Sequence, residues 1–101
     1  MPLTEAQVRM VVSVWNTASN VVYDVDYVVR RLREITNPNA LGGEIASVVT
    51  DALNEGYLYV DQIKSFNAFS GLRAFVGLTP SGRRYWALVY PTLAANEGDQ
   101  T

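Results

Sequence analysis

The chain has no cysteine and no histidine. The first absence excludes a disulfide framework and thiolate chemistry. The second removes the commonest metal ligand and the commonest general base. No apolar run approaches the ~20 residues of a membrane span, although hydrophobic residues make up 49% of the chain. The first residues, Met1 to Glu5, lack the basic stretch and apolar block of a signal peptide, so a cytoplasmic location is expected. No glycine-rich phosphate loop opens a helix, because Gly42-Gly43 is not followed by the Lys-Ser/Thr that would hold phosphate and metal. Ser81 has no neighbouring base in sequence, and Asp24 with Asp26 reads as a helix cap and a helical ion-pair partner rather than a carboxylate site. Catalysis is therefore not expected, and neither is a cofactor or a metal.

What is present is periodicity. A chain of 101 residues makes one domain with one core. The domain is expected over residues 1–95, with a flexible polar tail at 96–101. Thr4 and Gln7 form a capping box, with Leu3 and Val8 at the hydrophobic-staple positions. Val8, Val11, Val12, Trp15 and Ala18 then share a stripe, which predicts a helix over 4–18. Val21-Val22-Tyr23 reads as a short strand. Asp24 caps a second helix over 24–36, striped by Val25, Val28, Val29, Leu32 and Ile35, with Asp26 four residues before Arg30. Pro38 closes it.

A third helix over 43–55 buries Ile45, Val48, Val49, Ala52 and Leu53, and Gly56 takes the left-handed position after it. Strands over 57–66 and 72–78 follow, joined by a loop from Asn67 to Gly71. On the first strand, Leu58 and Val60 share one face and Tyr57 and Tyr59 the other. Thr79-Pro80 starts a last helix over 80–90, which Pro91 should kink or end. Tyr85, Trp86, Val89 and Leu93 would form its stripe. The predicted class is mostly α with a β-hairpin, in the arrangement of a winged helix-turn-helix. The predicted core is Val11, Trp15, Val28, Leu32, Ile35, Ile45, Val49, Leu53, Leu58 and Val76.

The run Ala52-Leu53-Asn54-Glu55-Gly56-Tyr57-Leu58, followed by Leu78-Thr79-Pro80-Ser81-Gly82-Arg83, resembles small bacterial regulators of the MarR and PadR types. The resemblance covers roughly residues 24–86. It implies double-stranded DNA as partner, bound by the third helix and the hairpin wing, and pairing through terminal helices. A homodimer is expected on the first and last helices, because Trp15, Trp86, Val89 and Leu93 offer more apolar area than one small core covers.

The residues admit two functional readings. In the first, Ser47, Thr50 and Asn54 meet bases, while Lys64, Arg73 and the cluster Arg30, Arg31 and Arg33 meet phosphates. In the second, the third helix is a protein-docking face, because it carries Glu44, Asp51 and Glu55 and no Lys or Arg. Phe69, at the expected hairpin tip, belongs to that second reading. The net charge of −2 argues mildly against non-specific nucleic-acid binding, but the distribution of charge matters more. Tyr57, Tyr59, Tyr85 and Trp86 read as core or interface aromatics before they read as a ligand box.

Overall fold

A computed structural model describes residues 2–65 and 72–99. The expected loop at 67–71, with Phe69 in it, lies outside the described residues. The chain runs α1 (Glu5–Val12), β1 (Tyr23–Asp24), α2 (Val25–Thr36), α3 (Gly42–Asn54), β2 (Leu58–Ser65), β3 (Leu72–Leu78), α4 (Pro80–Val89) and α5 (Pro91–Asp99). The fold is thus mostly helical, with a small antiparallel sheet in the order β1-β3-β2. Among the described residues no helix is long and apolar enough to cross a membrane.

α1 starts as its cap dictates. Thr4 Oγ1 accepts from the Gln7 amide at 3.1 Å, and Gln7 Oε1 accepts from the Thr4 amide at 2.8 Å. It ends earlier than its stripe predicts, at Val12 rather than near Ala18. On a continuing helix Val14 would stand about 100° off the Val8–Trp15 stripe. Leaving the helix at Ser13 turns both Val14 and Trp15 inward, and both are fully buried. The carbonyls freed by this exit find distant donors. Tyr90 Oη donates to Ser13 O at 2.8 Å, and Trp86 Nε1 donates to Trp15 O. Trp15 Nε1 in turn donates to Val21 O at 2.7 Å, closing the loop that leads to β1.

α2 and α3 follow the sequence closely. Asp24 caps α2 through the Asp26 amide at 2.9 Å. The expected pair of Asp26 with Arg30 is absent; among the described residues the ion pairs are Glu5 with Arg9 and Arg31 with Glu34, both at 3.0 Å. Val28 and Leu32 are buried, but Ile35 is 39% exposed and is not core. It sits in the last turn of α2, where the chain leaves for α3. α3 buries Ile45, Val49 and Ala52, while Val48 and Leu53 pack partly buried against them. Leu53, expected in the core, sits to one side of the buried stripe, and Ala52 beside it is fully buried.

In the sheet, β3 lies between β1 and β2, so Val76 is fully buried while its partner Val60 on the edge strand is 47% exposed. Asp61 is an extra residue on β2, a bulge between the Val60–Val76 and Gln62–Phe75 pairs. Tyr59 lies across its partner Gly77, where an added Cβ would come within 2.9 Å of the ring. α4 is capped by Thr79, whose Oγ1 accepts from the Gly82 amide at 3.1 Å. Pro91 ends α4 as expected but also starts α5, since proline is accommodated in a first helical turn. Residues 96–99, expected as a loose tail, therefore belong to a helix, and Glu97 accepts from the Ser19 amide and hydroxyl at 3.1 and 2.8 Å. Leu93 lies on α5 and not on the stripe of α4.

Candidate nucleic-acid interface

The exposed side of α3 follows from where its buried stripe points. Successive residues rotate by about 100°, so the positions opposite Ile45, Val49 and Ala52 are Gly43, Ser47, Thr50 and Asn54, flanked by Asp51 and Glu44 on one side and by Ala46 on the other. Gly43, Ala46, Ser47, Thr50 and Asn54 are exposed and uncharged. Ser47, Thr50 and Asn54 were expected there; Ala46 and Gly43 join them. The signal for Ala46 was its spacing, one turn before Thr50.

The three carboxylates occupy a different edge. Glu44, Asp51 and Glu55 are seven and four residues apart, within about 40° of each other and about 100° from the centre of the exposed ridge. That edge faces α1. Glu55 accepts from the Leu3 amide through both oxygens, at 2.9 and 3.2 Å. Glu44 borders a hollow of about 310 Å³ with Gln7 and Met10 of α1 and Ile45 and Val48 of α3. The centre of the outward face is thus uncharged, and the acids lie along one flank of it, Glu44 and Glu55 on the seam with the first helix.

The α2 arginines do not act as one cluster. Arg30 is exposed and has no ion pair among the described residues. Arg31 is held by Glu34 at 3.0 Å. Arg33 leans over the start of α3, where a Cβ on Gly42 would come within 2.8 Å of Nη2, and its Nε is buried without a hydrogen-bond partner. On the hairpin, Lys64 and Arg73 are Cα partners across β2 and β3, so the backbone brings the two basic residues to the same register position.

The aromatic residues mostly serve structure. Trp86 is buried, and Tyr57 meets Tyr85 edge-to-face with centroids 5.6 Å apart. Partial burial, then the neighbouring Tyr85 and Glu55 charges, push the Tyr57 phenol above its ordinary value. These two rings border a shallow hollow of about 370 Å³ with Glu5, Ser81, Arg84 and Leu88. Trp15 and Trp86, expected to be available to a second copy, are fully used inside the chain. Leu88 on α4 is 59% exposed and is one of several apolar residues left outside, with Met10 on α1 at 41%. No family model and no curated protein matches the chain.

Proposed function

We propose that the chain is a winged-helix transcriptional regulator that binds duplex DNA with α3, the β2–β3 wing and Arg30. The observation that carries this reading is the uncharged ridge on α3. A helix entering a major groove runs between two rows of phosphates, and carboxylates on its leading face would be repelled. Here the exposed face presents Gly43, Ala46, Ser47, Thr50 and Asn54, and Glu44, Asp51 and Glu55 lie along one flank of it, Glu44 and Glu55 turned toward α1. The order α1-β1-α2-α3-β2-β3, with β3 in the middle of the sheet, supports the same reading, as does the resemblance of residues 24–86 to MarR- and PadR-type regulators.

In this reading Ser47, Thr50 and Asn54 meet base edges. Lys64, Arg73 and Arg30 meet phosphates, while Arg31 and Arg33 are taken up by Glu34 and by the start of α3. The protein works in the cytoplasm as a homodimer joined by α1 and α4, with Leu88 at the centre of the contact. Sedimentation of the wild type and Leu88→Glu at tens of micromolar, expected to show a dimer and a monomer, tests the pairing.

DNA binding is tested by titrating the full chain against random-sequence duplex over a range of salt. Affinity should fall steeply as salt rises. Lys64→Ala with Arg73→Ala should weaken binding to every duplex and reduce the salt slope by roughly 2. Absence of binding at low salt would reject the DNA reading and leave a protein-docking module built on Glu44, Asp51, Glu55 and Phe69.

A further inference from the structure

We infer that α3 selects A·T base pairs in the major groove, by touching thymine methyl groups and the adenine edge. The inference rests on the DNA reading above and adds what that site distinguishes. Each base pair presents its own groups in the major groove. Guanine is read by Arg or Lys reaching O6 and N7, and the cytosine amine by a carboxylate. The row Ala46, Thr50 and Asn54 has neither kind of residue, because α3 contains no Arg or Lys and Glu44, Asp51 and Glu55 lie on the other flank of the exposed side.

What the ridge does present suits adenine and thymine. The Thr50 hydroxyl donates to Ala46 O at 3.0 Å. That bond commits the polar half of an exposed side chain to its own helix and leaves the Cγ2 methyl as the free group. The Ala46 methyl stands one turn before it and is also exposed. Two methyls a turn apart make an apolar strip of the kind that meets the thymine C5 methyl. Asn54 follows one turn after Thr50, exposed, and its amide has no partner among the described residues. A free asparagine amide pairs with adenine N6 and N7. From residue 46 to residue 54 the helix rises about 12 Å, the length of three to four stacked base pairs. The three residues thus form one row, two apolar and one amide, that meets three or four consecutive base pairs.

The test uses three random-sequence duplexes of equal length, titrated with the full chain at low salt: one A·T-rich, one G·C-rich, and the A·T-rich one with uracil replacing thymine. Uracil removes only the C5 methyl, a major-groove group, so it separates methyl contact from any effect of minor-groove width. The A·T-rich duplex should bind about tenfold tighter than the G·C-rich one, and uracil should cost a good part of that preference. Thr50→Ser keeps the hydroxyl and loses the methyl, and should lose part of the response to uracil, the Ala46 methyl keeping the rest. Thr50→Val keeps the methyl and should stay sensitive. Asn54→Ala should reduce the A·T preference on both the thymine and the uracil duplex. Equal affinity for the A·T-rich and G·C-rich duplexes, or no response to uracil, would overturn this inference and leave DNA binding standing. No binding to any duplex would overturn both.

Discussion

α1 and α3 are both apolar-striped helices that stop abruptly, yet they stop for different reasons. α3 is stopped by its own next residues. Gly56 takes a φ of +83°, the Gly56 amide donates to Leu53 O at 3.2 Å, and the Tyr57 amide donates to Ala52 O at 2.9 Å. That is the paired-bond stop of a Schellman turn, complete within six residues. α1 is stopped by residues more than seventy positions away, when Trp86 and Tyr90 claim the carbonyls of Trp15 and Ser13. A stop written locally travels with the segment. A stop made by a distant side chain exists only once the chain has folded.

The largest expected effect breaks the distant stop. Trp86→Ala should cost about 3–5 kcal/mol, as buried aromatic truncations do. Trp86→Phe keeps most of the ring but leaves Trp15 O without its donor, and should cost about 1–3 kcal/mol. Urea melts of both variants give the numbers, and amide exchange at Val14 to Asn16 should rise in the second. A Trp86→Phe variant as stable as the wild type would show that the indole acts through packing alone.

Gly82→Ala tests where the two halves of the molecule are joined. An added Cβ would stand 2.2 Å from Tyr57 O, which also accepts from the Thr79 amide at 3.1 Å. Backbone cannot yield as a side chain does, so a loss of about 3 kcal/mol is expected in denaturant melts. Gly56→Ala tests the local stop. Nothing crowds a Cβ there, so the cost should be that of the left-handed conformation alone, about 1–2 kcal/mol.

Tyr57 adds a pH test at this same junction. Its raised pKa means that the folded state favours the neutral phenol more than the unfolded state does. The associated stability is full below the ordinary tyrosine value and is lost as pH rises through the higher folded value. Tyr57→Phe should therefore lose less stability than the wild type between neutral and strongly alkaline pH, read from melts across that range. The smallest effect concerns the acidic edge. Asp51→Asn should tighten DNA binding by less than about threefold at 0.15 M salt, because the carboxylate lies on a flank of the exposed face and is partly screened. A tenfold gain in the same titration would put Asp51 on the DNA face and contradict the placement of the acids.

Much of the α2–α4 region was legible because its signals are short-range. Asp24, Gly56 and Thr79-Pro80 each act on backbone groups within a few residues, and the elements between them fall within a residue or two of expectation. Three features were less legible. The bulge at Asp61 depends on which strand ends at the sheet edge, and nothing in Val60-Asp61-Gln62 marks it. The helix after Pro91 was hidden because proline both ends one helix and begins another. The position of the acids on α3 required knowing that α1 packs beside it, since a helical pattern tells which face is buried but not which neighbour lies on either flank.

By itself, then, the sequence determined the helices bounded by local caps, the buried side of most of α2 and α3, and the absence of the side chains most chemistry uses. Backbone capping and side-chain periodicity act over one or two turns, and a linear reading captures them. The tertiary structure decided where α1 ends, that both tryptophans are consumed inside the chain, that Ser19 and Glu97 tie the last helix down, and that Glu55 after α3 is turned to the Leu3 amide. Each of these depends on a partner far away in sequence, and such partners meet only when burial of the shared core brings α1, α3, α4 and α5 together.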